Sequence, residues 1–125
     1  MESKKILFVD DEPIVLKLMK TRLESQTFRV ETAASGMEGI VKAKEWRPDV
    51  ILLDVIMPQL DGAELVRVIT TERPGLPVLL MSGHVPTEAE VRLGDFREHA
   101  ASFLAKPLRS AEVLDAIAAA LRDKR

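Results

Sequence analysis

The sequence predicts a doubly wound α/β fold, and three observations predict it. Four short apolar blocks, Ile6-Leu7-Phe8-Val9, Val50-Ile51-Leu52-Leu53, Val78-Leu79-Leu80-Met81 and Phe103-Leu104-Ala105, run continuously instead of alternating. Continuous apolar runs are expected of parallel strands covered on both faces. Segments with helical spacing separate these blocks, and the connections carry Pro48, Pro58, Gly62, Pro74-Gly75, Pro77 and Pro107. Regular strand–helix alternation with short Pro- and Gly-marked loops argues for a layered α/β sheet.

Each element follows from its own residues. Ile6–Val9 forms the first strand. A helix opens at Pro13, a residue favoured in the first turn, with Val15, Leu18, Met19 and Leu23 as its apolar stripe. Phe28-Arg29-Val30-Glu31-Thr32 alternates apolar and polar residues and reads as an edge strand. Ser35-Gly36-Met37-Glu38 is a capping box before Ile40, Val41 and Ala43, followed by Trp46, expected over the sheet edge. Val50–Leu53 is the third strand. Asp61-Gly62-Ala63-Glu64 caps a third helix carrying Leu65, Val66 and Ile69. After Val78–Met81, Thr87-Glu88-Ala89-Glu90 is another capping box, and Gly94 shortens the fourth helix. After Phe103–Ala105, Ser110 caps a last helix with Leu114, Ile117, Ala118 and Leu121, whose basic end complements the helix dipole. Met19, Met37 and Met81 read as core fillers, and His99 as a surface residue at a helix end.

Composition bounds the function. At 125 residues the chain has the length of one domain, taken here as residues 1–125. Eighteen Lys and Arg stand against 20 Asp and Glu, a net charge of −2 that disfavours a generic nucleic-acid binder. With no cysteine, disulfides, thiolate metal sites and cysteine nucleophiles are excluded. Two histidines make a His-rich metal site improbable. The longest purely hydrophobic run, Ala116 to Leu121, is far short of the ~20 residues that span a bilayer. The apolar stretch after Met1 is also too short for a signal peptide, so the expected location is the cytoplasm.

Ligands of open α/β sheets bind outside the carboxyl ends of the strands. There the first strand ends in Asp10-Asp11 with Glu12 just beyond, the third in Asp54, the fourth in Ser82-Gly83-His84 and the fifth in Lys106-Pro107. Convergent carboxylates repel one another unless a cation sits between them, and oxygen ligands without Cys or His suit a hard ion such as Mg²⁺. A neighbouring lysine supplies a compact charge for a phosphate oxygen, and a carboxylate can itself accept a phosphoryl group. Taken singly, each residue has an ordinary reading: a helix cap, a strand-end turn, a turn hydroxyl, a solvated lysine, a core phenylalanine. Their joint placement at four strand ends in one order is what carries the functional reading.

These residues resemble the response-regulator receiver domains of two-component signalling, from Lys5 to about Leu121. The likeness rests on Asp10-Asp11, Asp54-Val55-Ile56-Met57-Pro58, Asp61-Gly62, Ser82-Gly83 and Phe103-Leu104-Ala105-Lys106-Pro107. It implies a five-stranded parallel sheet in the order 2-1-3-4-5 with five helices, the flavodoxin-like (CheY-like) arrangement. It implies that Asp54 is the phosphoacceptor, and that Asp11, Asp54 and the backbone carbonyl of Ile56 bind Mg²⁺, with Asp10 acting through a metal-bound water. Ser82 and Lys106 would hold the phosphoryl group, with Lys106-Pro107 a cis peptide. Phe103 would be the aromatic switch residue that follows the inward move of Ser82.

The implied donor is the phosphohistidine of a sensor histidine kinase or a histidine phosphotransfer protein. Docking is expected near Ile14, Lys17 and Pro107. The implied output surface is built by the fourth helix, fifth strand and fifth helix, and a phosphorylation-dependent homodimer is compatible with it. No membrane or direct nucleic-acid contact is expected, and no independent metabolite is turned over. The chain departs from the family pattern at Ser82, where threonine is commoner, at the apolar Ile56, and at His99, where glycine is frequent. One rival is a phosphorylation-independent interaction module, which the intact acidic cluster and Lys106 argue against. A small Mg²⁺-dependent aspartyl phosphatase is the other, but it would need an acid two residues after Asp54, where Ile56 stands. The sequence is compatible with a stand-alone protein and with one part of a hybrid kinase or larger regulator.

Overall fold

The computed structural model describes residues 3–54, 56–57, 60–61, 67–69, 71–73, 75–82, 102–105 and 108–122. In chain order these form β1 (Lys5–Val9), α1 (Pro13–Glu24), β2 (Arg29–Ala33), α2 (Gly36–Trp46), β3 (Val50–Asp54), β4 (Ile56–Met57), β5 (Leu60–Asp61), β6 (Val78–Ser82), β7 (Ser102–Ala105) and α3 (Ser110–Arg122). Residues 67–69 and 71–72 are helical as well.

Five strands make one parallel sheet in the order β2-β1-β3-β6-β7. This is the expected 2-1-3-4-5 arrangement, because β4 and β5 pair only with each other. The order reverses between β1 and β3, where the chain first runs outward to β2 and then returns to the other side. A crevice opens at such a reversal, outside the carboxyl ends of the two strands.

The continuous apolar blocks are explained by two covered faces. Ile6, Phe8, Val50, Leu52, Leu79, Met81 and Leu104 pack with Leu16, Met19 and Leu23 of α1 and with Val113, Ile117 and Ala120 of α3. Leu7, Val9, Ile51, Leu53, Val78 and Leu80 face the other way, onto Ala43 of α2 and Ile69. Alternate strand residues thus enter opposite cores, and each buried Leu or Ile contributes about 1.5–3 kcal/mol relative to exposure. At the amino ends of the strands, the backbone N–H of Lys5 donates to Asp49 Oδ2 at 2.8 Å, and its Nζ donates to the carbonyl of Trp46 at 2.7 Å. The Lys5 ammonium also lies 5.5 Å from the centre of the Trp46 ring. That end is tied shut, and the opposite end is left for the site.

Four expectations are corrected. Leu18 is 50% exposed, and Leu16 takes its place in the buried stripe. Successive helical residues turn by about 100°, which carries Leu18 off the arc shared by Leu16, Met19 and Leu23. Met37 is 73% exposed, because it lies in the first turn of α2 on the side away from the buried Gly36 and Gly39. Ser110 is the first helical residue of α3 and does not cap it: the Val113 N–H bonds to the Arg109 carbonyl, so the helix starts one residue earlier in its hydrogen bonding. The Ser110 hydroxyl instead accepts from the Arg22 guanidinium at 3.1 Å, joining α3 to α1. Finally, Ile56–Met57 and Leu60–Asp61 form an antiparallel ladder where a plain loop was expected.

The Ser35 cap is borne out, with its hydroxyl accepting from the Glu38 N–H at 3.2 Å. Glu38 returns the contact to the Ala34 N–H, one residue earlier than a strict capping box would place it. The edge position of β2 is also as expected. Lys106, Pro107, His84, Gly94, His99 and the capping box at 87–90 lie outside the described residues, as do the side chains of Ile56, Asp61, Ser82 and Phe103. Among the described residues, no helix is long and apolar enough to cross a membrane.

Candidate functional site

Asp10 follows β1 directly, and its N–H bonds to the Ala33 carbonyl at 3.0 Å, so the strand ladder carries into the acidic turn. Its carboxylate Oδ1 accepts the Glu12 N–H at 2.9 Å. This contact bends the chain from strand to helix, and the first helical residue, Pro13, needs no hydrogen-bond partner for a backbone N–H. Glu12 is the N-cap, in an extended conformation (φ −92°, ψ 109°), and its side chain makes no capping bond. Leu16 N–H to the Glu12 carbonyl at 3.1 Å then starts the helix.

Asp54 ends β3 and pairs in register with Met81 of β6. The β1–β3 register aligns Val9 with Leu53, so the residues that follow each, Asp10 and Asp54, emerge at one level on either side of the reversal point. One carboxylate oxygen from each of Asp10, Asp11, Glu12 and Asp54 lies within 4.8 Å of the others. Asp10 is fully buried and Asp54 is 3% exposed, whereas Asp11 is half-buried and Glu12 exposed. The cluster therefore has a dry floor and an open rim.

Four carboxylates so close carry an electrostatic cost that the positive end of α1 offsets only in part. An all-oxygen donor set with two buried acids, two acids nearer solvent and no nitrogen or sulfur fits a hard divalent cation that keeps part of its water shell. Ile56, two residues past Asp54, holds its backbone in β4 by pairing with Asp61.

Two further expected residues have their backbones in the neighbouring strands, Ser82 at the carboxyl edge and Phe103 two residues short of it. Ser82 ends β6 one residue beyond the partner of Asp54, and it pairs with Ala105, which immediately precedes Lys106. Phe103 pairs with Leu80 in β7, one strand further from Asp54. The structure thus brings together Asp10, Asp11 and Asp54 by their side chains, and Ser82 by its strand position. It adds Glu12, which sequence reasoning had passed over as merely lying beyond the pair. The available signal was its place at an N-cap, where Ser, Thr, Asp and Asn are preferred and a glutamate has no usual capping role.

Comparison with known proteins places this geometry. Residues 6–118 match the family model described as the response regulator receiver domain. The chain is 32% identical over 117 residues to the probable transcriptional regulatory protein TcrX of Mycobacterium tuberculosis, covering 94% of this chain and 49% of that protein. It is 35% identical over 120 residues to the alkaline phosphatase synthesis transcriptional regulatory protein PhoP of Bacillus subtilis, covering 96% and 49%. The chain spans about half the length of these relatives. Among solved structures it superposes on a response regulator receiver domain protein (CheY-like) from Methanospirillum hungatei with a TM-score of 0.88 at 29% identity, covering 97% of this chain and 95% of that one. Chemotaxis protein CheY4 of Vibrio cholerae gives a TM-score of 0.86 at 29% identity, covering 95% and 99%. The chain belongs to the response-regulator receiver domain family.

Proposed function

We propose that this chain, residues 1–125, is one receiver domain acting as a phosphorylation-dependent switch of two-component signalling, with Asp54 as the phosphoacceptor. The observation that carries the reading is the meeting of Asp10, Asp11 and Asp54 within 4.8 Å at the strand-order reversal. Asp54 is the acid positioned to react: β3 and its neighbours fix its backbone, and it is almost fully buried. Asp11 and Asp54, with the Ile56 carbonyl, would hold Mg²⁺, and Asp10 would bind one of the ion's waters. Bound there, the ion supplies positive charge to the equatorial phosphoryl oxygens and to the carboxylates that face them.

The donor is a phosphohistidine on a sensor histidine kinase or histidine phosphotransfer protein. An Asp54 carboxylate oxygen attacks phosphorus, a P–O bond forms, the P–N bond breaks, and the freed imidazole nitrogen takes up a proton. Lys106 and the Ser82 hydroxyl, following Ala105 and Met81 at the same edge, would hold the transferred group. The added charge draws Ser82 inward and lets Phe103 follow, which repacks the surface that includes β7 and α3. Hydrolysis of the acyl phosphate by water resets the switch, so the chemistry is confined to the domain's own phosphorylation and dephosphorylation.

Incubation with acetyl phosphate, followed by intact mass, tests this reading. One phosphoryl adduct that requires Mg²⁺ and is absent from Asp54→Asn is expected. An adduct that persists in Asp54→Asn would overturn the assignment.

A further inference from the structure

A hollow of about 230 Å³ opens on the face of the sheet that α2 covers, between the last turn of α2 and the helical residues 67–69 and 71–72. It lies near the amino ends of β3 and β6, away from the acidic cluster at the carboxyl ends. Its floor is apolar, with Ala43, Ile69 and Leu76 buried there, and its rim carries Lys44, Arg47, Glu72 and Arg73. Three cations thus stand against one acid, in a chain whose net charge is −2. Glu72 is paired with Lys44 at 3.1 Å. One N–H of Arg73 donates to the Pro48 carbonyl at 2.7 Å and fixes the half-buried guanidinium beside the hollow. Burial, and then repulsion from Arg47, hold that guanidinium below its usual range, against the pull of Asp49. Arg47 itself ends α2 in the left-handed conformation (φ 54°), where glycine or asparagine is the usual residue. Attraction to the carbonyl ends of the two helices accounts for a cation at each, but not for two guanidiniums beside one apolar floor.

We propose that this hollow binds a small organic carboxylate, with the charged group between Arg47 and Arg73 and the apolar body on Ala43, Ile69 and Leu76. Such a site goes beyond the switch reading and uses none of its residues. A guanidinium presents its N–H donors in a planar fork that matches a carboxylate with two parallel hydrogen bonds. Arg73 uses one N–H on Pro48, and the five of a guanidinium leave a fork for a ligand. An anion between Arg47 and Arg73 also replaces their mutual repulsion with two attractions. An apolar hollow with a few convergent polar groups is the usual build of a small-molecule site. Its volume of about 230 Å³ falls below the roughly 300–1,000 Å³ of sites for drug-sized ligands, so the fitting body is a single compact ring or branched chain.

Titration of cyclohexanecarboxylate into the full chain, followed by amide NMR shifts in EDTA, tests this. Acetate lacks the apolar body and cyclohexylmethanol lacks the charge, so each serves as a truncated probe. Cyclohexanecarboxylate should give saturable shifts at Ala43, Arg47, Ile69 and Leu76 and leave Asp10 and Asp54 unmoved. It should bind at least about tenfold more tightly than either truncated probe, because only it makes both kinds of contact. Arg47→Asn removes the guanidinium and suits the left-handed backbone, and should weaken binding about tenfold or more. Arg47→Lys keeps the charge without the fork and should fall between the two. High salt should weaken wild-type binding. No saturable shift with cyclohexanecarboxylate, shifts centred on the acidic cluster, equal binding of a truncated probe, or wild-type affinity in Arg47→Asn would overturn the proposal. None of these results bears on Asp54 as the phosphoacceptor, so the two readings fail separately.

Discussion

Asp54→Asn should make the ion-free protein more stable. Asparagine keeps the size of the side chain and some of its hydrogen bonding, and it removes one of four clustered charges. Two unit charges at the 4.8 Å limit of this cluster repel by about 3.5 kcal/mol at an effective dielectric of about 20. Asp54 has three such neighbours, and attraction to its other surroundings returns part of the cost. A net gain of about 1–3 kcal/mol is the outcome, in the range of other single changes that relieve a buried charge. For a chain of this length that raises the melting temperature by about 5–10 °C.

The assay is thermal unfolding in EDTA and again in saturating MgCl₂. Wild type should gain about 2.7 kcal/mol when Mg²⁺ stands at a hundred times its dissociation constant. The variant, lacking a ligand, should gain much less, so the ion closes the gap or reverses it. High salt should narrow the ion-free difference as well. A variant that melts below wild type in EDTA would refute the reasoning. Asp54 would then be a structural hydrogen-bond acceptor whose charge the fold already satisfies.

Two further outcomes follow from the helix that backs the site. Gly39 of α2 sits where an added Cβ would lie 3.2 and 3.3 Å from the two γ-methyls of Val9, the fully buried residue before Asp10. Gly39→Ala should therefore cost about 1 kcal/mol by urea unfolding, overpacking outweighing the helix-propensity gain, whereas a gain of about 1 kcal/mol would show that Val9 yields freely. The Glu38 carboxyl is held below the usual carboxylate range, foremost by the Ala34 N–H and then by Lys42. Because the folded value is the lower one, its contribution is full above the unfolded value and is lost as pH falls through the folded one. The stability gap between wild type and Glu38→Gln should thus be present at neutral pH and shrink as acid protonates the folded-state carboxyl in urea titrations, and a gap independent of pH would contradict this origin.

The strands were legible because parallel strands covered on both faces need apolar residues at every position, and Ile6–Val9 and Val50–Leu53 have them. Strand ends were legible for the same reason: Asp10 and Asp54 mark where an unbroken apolar run stops. Helix faces were harder to read. α1 has leucine at both 16 and 18, about 200° apart around the helix, and packing with Phe8 and Leu52 makes Leu16 the buried one. Met37 looked like core because methionine usually is, but the close approach of Gly39 to Val9 turns α2 so that its small residues meet the sheet. Ser110 has the chemistry of a cap and lies one residue too late for it, a shift set by the backbone. The antiparallel pair at Ile56–Met57 and Leu60–Asp61 left no periodicity to detect, since two residues cannot show one. Glu12 was overlooked for a different reason. Its place in the cluster comes from lying near Asp54 in space, and 42 positions of chain separate the two.

The most direct test of the central claim is to find where the phosphoryl group goes. The acyl phosphate formed with acetyl phosphate and Mg²⁺ can be reduced by borohydride, which converts a phosphorylated aspartate to homoserine. Peptide mass spectrometry then reads the position. Homoserine at position 54, and at none of positions 10, 11 or 61, is the predicted result. Homoserine at position 10 or 11 with Asp54 intact, or none at any position, would contradict the account of Asp54 as the acceptor.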